Sequence, residues 1–163
     1  MKRLLPIACA LVLGCQPSKV DVSSANHPLL ADYKSSQSFT PSWSTIYHPS
    51  VHQWNQSINL GNGLTLLVTA TGWISGEFQG QFSDESTPRT IGHPGDYVYP
   101  CDLRYNASKK LLFAKASGLA GGIERVTVVF EYDVQQRRLL HTYHVAENLL
   151  PPDPTPITQR PNP

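Results

Sequence analysis

Charge is scarce in this chain: Asp, Glu, Lys and Arg together make up 15% of 163 residues. An average soluble domain carries about 25%. Cysteine is scarcer still, with Cys9, Cys15 and Cys101 as its complete set. That excludes a disulfide-stapled scaffold and the four-cysteine ligand sets of structural zinc. No apolar run approaches the roughly 20 residues that a membrane-spanning helix needs. There is no basic excess to drive nucleic-acid binding, because 13 basic residues face 12 acidic ones. No nucleophile elbow of the Gly-x-Ser-x-Gly kind occurs. Gly118-Leu119-Ala120-Gly121-Gly122 lacks the Lys-Ser or Lys-Thr ending of a phosphate loop, and flexible glycine between two strands accounts for it.

Proline, by contrast, is abundant, with 14 in the chain and six of them in residues 151–163. Residues 148–163 therefore read as an extended, proline-rich tail. The N-terminus is equally biased. Lys2 and Arg3 precede an apolar run from Leu4 to Leu13, followed by Gly14 and Cys15. A positive start, a short apolar middle and a small residue before the cut are the features of a removable export segment.

Val12-Leu13-Gly14-Cys15 resembles the lipobox of bacterial prolipoproteins. The resemblance covers the signal only, and it implies cleavage before Cys15 and acylation of that cysteine. More than one acyl chain gives stable membrane attachment at about 0.8 kcal/mol per buried methylene. In Gram-negative lipoproteins an Asp at the position of Gln16 commonly retains the protein at the inner membrane, so for an envelope of that type the resemblance implies the outer membrane. Removing residues 1–14 takes away Lys2 and Arg3, leaving 11 basic and 12 acidic residues and a formal charge of −1. With Cys15 acylated, Cys101 has no partner for an intramolecular bridge.

Residues 15–52 read as the lipidated cysteine and a flexible tether rich in Ser, Pro, Asn and His, with room for one helical turn near Leu29 to Tyr33 after Pro28. Such a segment has a span of roughly 35 Å. Trp43, Tyr47 and Trp54 offer a means of packing its later part on the domain. From Gln53 to residue 147 the pattern is alternation, the mark of half-buried strands. Trp54, Ile58 and Leu60 share a face; Gly61-Asn62-Gly63 turns the chain; Leu64, Leu66, Val68 and Ala70 return it. Phe78 and Phe82 continue an apolar face, with Gly76 and Gly80 marking a bend. Val126, Val128, Phe130 and Tyr132 line the clearest strand. The expected fold class is all-β: a small antiparallel sandwich or barrel of about seven strands, with a disordered N-terminal tether and a Pro-rich C-terminal tail.

The candidate chemistry lies in a polar loop over residues 83–95. Asp84, Glu85, His93 and Asp96 form the densest group of ionisable side chains, and loops carry function. His48 and His52 are four apart without a helix to join them, and strand alternation puts His141 and His144 on opposite faces, so no metal site is expected. His141 is expected to share its face with Leu139, Tyr143 and Val145. Cys101 falls on the more apolar face of a strand with Tyr97, Tyr99, Leu103 and Tyr105, where burial is expected; a Cys101–His–Asp triad would need that thiol exposed. No cofactor is implied. The function expected is a non-catalytic binding or assembly accessory of the envelope. It would be anchored through Cys15 and would contact a protein or glycan partner through the 83–96 loop or an open sheet edge. The alternative is a small envelope hydrolase or thiol-redox protein using that loop or Cys101.

Overall fold

The computed structural model describes residues 18–39, 42–44, 52–72, 76–95, 98–120 and 124–151. Cys15, His48, Tyr47, Asp96 and residues 152–163 lie outside the described residues, as do the side chains of Trp43 and His52. The described residues build a two-sheet sandwich. Eleven strands are present: β1 (Ser18–Val22), β2 (Gln37–Phe39), β3 (Ser42–Ser44), β4 (His52–Gly61), β5 (Leu64–Gly72), β6 (Gly76–Phe82), β7 (Arg89–Gly95), β8 (Val98–Asn106), β9 (Leu111–Ala120), β10 (Glu124–Asp133) and β11 (Arg138–Val145). One helix, α1 (Pro28–Ser35), and a 3₁₀ turn (Glu147–Leu149) complete them. The six-stranded sheet runs β1-β11-β10-β9-β8-β2 and the five-stranded sheet β3-β4-β5-β6-β7. Every pairing is antiparallel except that of β1 with β11, which is parallel.

Alternation decides which side chains enter the space between the sheets. Trp54, Ile58, Leu66, Val68, Ala70, Phe78, Phe82 and Ile91 come from one sheet, and Leu103, Tyr105, Leu112, Ala114, Ala116, Val128, Phe130 and Tyr132 from the other. The hairpin from β4 to β5 closes through Gly61, Asn62 and Gly63, all at positive φ, as a tight turn of this handedness requires. Two hairpin turns of the six-stranded sheet, between β8 and β9 and between β10 and β11, share one recipe. Asn106 Oδ1 accepts from Lys109 N and Asp133 Oδ1 from Gln136 N, and each turn ends in a left-handed residue, Lys110 or Arg137.

The sequence expectations need four corrections. First, residues 18–39 are folded and are no tether. β1 adds to the edge of β11, and α1 lays Leu29, Leu30 and Tyr33 on the outer face of the six-stranded sheet. There they meet Val22, Phe113, Val129, Tyr143, Val145 and Leu150 in a second apolar core. The helix starts at Pro28, where a missing N–H costs nothing, and His27 Nδ1 accepts from Leu29 N at 3.2 Å. Second, the domain runs past residue 147: Leu150 is buried, and the Pro151 carbonyl accepts from Lys115 Nζ at 3.4 Å.

Third, the expected 83–95 loop is a short turn followed by β7, an edge strand in which Pro94 is tolerated. Gly92 lets β7 approach the other sheet: a Cβ there would lie 2.3 Å from Phe130 Cγ. β9 likewise continues through Gly118 to Ala120, paired with β10. Fourth, two bulges exchange faces. Between Pro100 and Asp102 the register of β8 against β9 shifts, placing Cys101 at the irregularity. Leu103 and Tyr105 stay in the inter-sheet core, while Cys101 is half-buried, with its Sγ near Lys115 O and Ser117 Oγ. Between Glu131 and Tyr132 the register shifts again, so Leu139 packs on the inter-sheet core while Tyr143 and Val145 belong to the outer one.

Candidate functional site

The predicted acidic group is a brace between the sheets. Asp84 and Glu85 sit in the turn after β6. Glu85 takes two hydrogen bonds from Arg89, at 2.8 and 2.7 Å, and one from Arg137 at 2.6 Å. Arg137 also reaches Asp84 at 2.6 Å, and its guanidinium lies 4.3 Å from the centre of the Phe82 ring. The hydrogen bonds from Arg89 and then Arg137 hold the Glu85 carboxyl well below the usual range, at about 2. A carboxylate so committed is a poor proton carrier near neutrality. His93 lies toward the other end of β7, where its Nδ1–H donates to the Gly76 carbonyl. The structure thus brings Asp84 and Glu85 together and leaves His93 apart from them.

A second polar cluster is buried between α1 and the six-stranded sheet. Asp102, 2% exposed, accepts from Tyr33 Oη at 2.7 Å, Ser38 Oγ at 2.9 Å, its neighbour Leu103 N at 2.9 Å and Arg104 Nε at 2.7 Å. The Arg104 guanidinium lies 4.6 Å from the centre of the Tyr33 ring. Burial, then the Asp102 charge, push the Tyr33 hydroxyl well above the ordinary tyrosine range. All of these groups are used inside the network, which pins the helix to the sheet.

On the outer face beside it, Glu131 Oε2 accepts from His141 Nδ1 at 2.8 Å and from Tyr143 Oη at 2.7 Å. The His27 ring meets Tyr143 edge-on, with centroids 5.6 Å apart. A carboxylate-oriented histidine is one part of an acid–base site. Cys101 cannot supply the nucleophile, because β9 and β10 separate its strand from that of His141. His144 points away from this cluster, as alternation requires. Among the described residues no group of three or more His, Cys, Asp or Glu side chains is placed to hold a metal ion.

His144 instead borders a shallow cleft of about 310 Å³ where β1 and β11 end and β10 begins. Asp21, Ser23, Arg125, Thr127 and Ala146 line it with Val22, Val126 and Val145. No family model matches this chain, and no curated protein or solved structure matches it either. The chemistry must therefore be read from the cleft itself. It brings together an acid, a guanidinium, an imidazole and the Ser23 hydroxyl beside a short apolar floor. Such a surface can hydrogen-bond a polar chain lying across it, and its volume stands at the lower limit of small-molecule sites. Sequence reasoning found His144 but not this cleft. Asp21 and Ser23 reach it only because β1 pairs with a strand more than a hundred residues later, and no local pattern encodes that.

Proposed function

We propose that this protein is an envelope lipoprotein, cleaved before Cys15, acylated there, and, where the envelope is Gram-negative, held at the outer membrane. The observation that carries the reading is Val12-Leu13-Gly14-Cys15 at the end of a short positive-then-apolar segment. Among the described residues the first strand begins at Ser18, three positions after the cysteine. Among the described residues, no helix is long and apolar enough to cross a membrane.

The role we propose for the domain is non-catalytic: binding a polar peptide or glycan component of the envelope through the cleft of Asp21, Ser23, Arg125 and His144. Two facts favour binding over hydrolysis or redox chemistry. The carboxylates Asp84 and Glu85 are held by Arg89 and Arg137, and Cys101 lies apart from the histidine that a carboxylate orients.

The test is a mass spectrum of the mature chain from cells, with membrane fractionation. The expected result is an N-terminus at Cys15 carrying acyl mass, found in the outer-membrane fraction. The Cys15→Ala chain should lose that mass and leave the membrane. A mature chain without lipid removes the proposal. In-cell crosslinking from position 23 should capture an envelope component, and crosslinking that is unchanged by charge reversal at Asp21 argues against the cleft.

A further inference from the structure

Gln16 and Pro17 are all that separate Cys15 from the first strand. Three residues reach at most about 10 Å, whereas ten-residue strands such as β10 run to about 34 Å. An acyl anchor at Cys15 therefore has no spacer with which to hold the sandwich away from the bilayer. The end of the domain nearest the lipid is set by the direction of β1. Ser18 pairs with His141, and Val22 with Val145, so β1 starts beside the first half of β11. Cys15 lies three positions before Ser18, and Arg138 three positions before His141. The chain thus comes to β1 from the end of the six-stranded sheet that carries the turns 106–110 and 134–137.

That end has the charge to meet an anionic surface. Lys110 stands exposed at the end of one turn and Arg138 at the first position of β11, just after the other, and Lys19 is exposed on β1. Most acids nearby are committed to partners: Asp84 and Glu85 to Arg137 and Arg89, Asp32 to Lys109 at 2.6 Å, and Glu131 to His141 and Tyr143; Asp133 accepts from Gln136 N within its turn and sets one negative charge against the three exposed cations. The cleft of Asp21, Ser23 and His144 lies at the far end of β1, away from this surface.

We infer that the domain stands end-on upon the membrane. The turns 106–110 and 134–137 meet the anionic lipid headgroups, and the cleft faces the aqueous side. This inference rests on the lipid anchor proposed above and goes beyond it by fixing an orientation. A link that reaches at most about 10 Å lets the turns approach the leaflet to within a Debye length, about 8 Å at physiological salt, where the attraction of Lys110 and Arg138 is only partly screened. Each such cation strengthens contact with an anionic leaflet by about fivefold.

The experiment uses the full chain, processed and acylated in cells, in a Cys101→Ser background. One fluorophore is attached through Gln136→Cys in one sample and through Ser23→Cys in another. Each sample is reconstituted on vesicles of phosphatidylethanolamine and phosphatidylglycerol doped with a headgroup-nitroxide lipid, and a mass spectrum of each confirms the acyl chains. The expected result is strong quenching at 136 and weak quenching at 23. Lys110→Glu with Arg138→Glu should reduce quenching at 136 on these vesicles and leave it unchanged on phosphatidylcholine alone. Equal quenching at both positions, as for a domain lying along its β1 edge, overturns the orientation while the anchor stands. Stronger quenching at 23 does the same. A chain whose Cys15 carries no lipid overturns the anchor and the orientation together.

Discussion

The joint between α1 and the six-stranded sheet can be tested with two substitutions and their combination. Tyr33 Oη donates to Asp102 at 2.7 Å, and both residues are buried. Tyr33→Phe keeps the ring, its edge-on contact with Phe113 at 6.0 Å and its place under Arg104, and removes only the hydroxyl. A hydrogen bond to a charged group is worth about 1.5–3 kcal/mol, so the variant should lose about that much stability. Asp102→Ala does more. It leaves the buried Tyr33 hydroxyl without its acceptor and the half-buried Arg104 guanidinium with the Tyr33 carbonyl at 3.4 Å, a loss of about 3–5 kcal/mol. In the Asp102→Ala background the hydroxyl is already orphaned, so adding Tyr33→Phe should cost almost nothing or restore a little. The coupling between the two sites is then about 1.5–3 kcal/mol. Urea unfolding followed by the fluorescence of buried Trp54 measures all four proteins, with the midpoint moving at constant slope. If residues 18–39 were a tether, Tyr33→Phe would stay within about 0.5 kcal/mol in both backgrounds, and that result would refute the joint.

Three further outcomes follow from the packing and the ion pairs. Gly92→Ala drives a methyl into the Phe130 ring, which is itself held against Phe78 with centroids 6.0 Å apart. It should cost about 1–3 kcal/mol or more, and thermal unfolding should show Phe130→Leu combined with it to be less destabilised than the two losses added. Glu85 is held at about 2 by Arg89 and Arg137, below its value in an unfolded chain. Its share of stability is present above about pH 4.5 and is lost as pH falls toward about 2. Urea midpoints against pH should show that loss, flattened in Glu85→Gln. The Tyr33 hydroxyl moves the opposite way. Its folded value is raised by burial and by Asp102, so its share is present below about pH 10 and is lost as pH climbs above that. Alkaline titration should show Tyr33→Phe losing less stability over that range than the parent.

The sequence makes most of the inter-sheet core legible. Leu64, Leu66, Val68 and Ala70, and then Val126, Val128, Phe130 and Tyr132, all face the other sheet as their alternation requires. Gly61-Asn62-Gly63 marks its hairpin because only such residues accept three consecutive positive φ angles cheaply. The second core was hidden for a different reason. Its helix is eight residues long and buries only Leu29, Leu30 and Tyr33, and β1 contributes just Val20 and Val22. Neither segment has enough turns or pleats to display a period, and each is stabilised by a surface supplied from elsewhere in the chain. β7 read as a loop because Gly92-His93-Pro94-Gly95 is loop chemistry, which an edge strand tolerates on its unpaired side. The bulges near Cys101 and Leu140 reverse the facing of whole half-strands, since the side-chain period is two. The acidic group was found but not its arginines: Arg137 joins Glu85 from 52 positions away.

The parallel pairing of β1 with β11 also governs when this domain can exist. Among the described residues β1 is the first strand to emerge in synthesis, yet the strand it pairs with is the last, and Ala146 N then donates to the Val22 carbonyl to close the pair. Until residue 145 is available, β1 has no ladder to join, and the apolar side of α1 lacks Tyr143, Val145 and Leu150. Contacts of such long sequence separation form late and slowly. A chain stopped before β11 should remain open and protease-sensitive at its N-terminal end, so completion of that strand acts as the timer for docking β1 and α1.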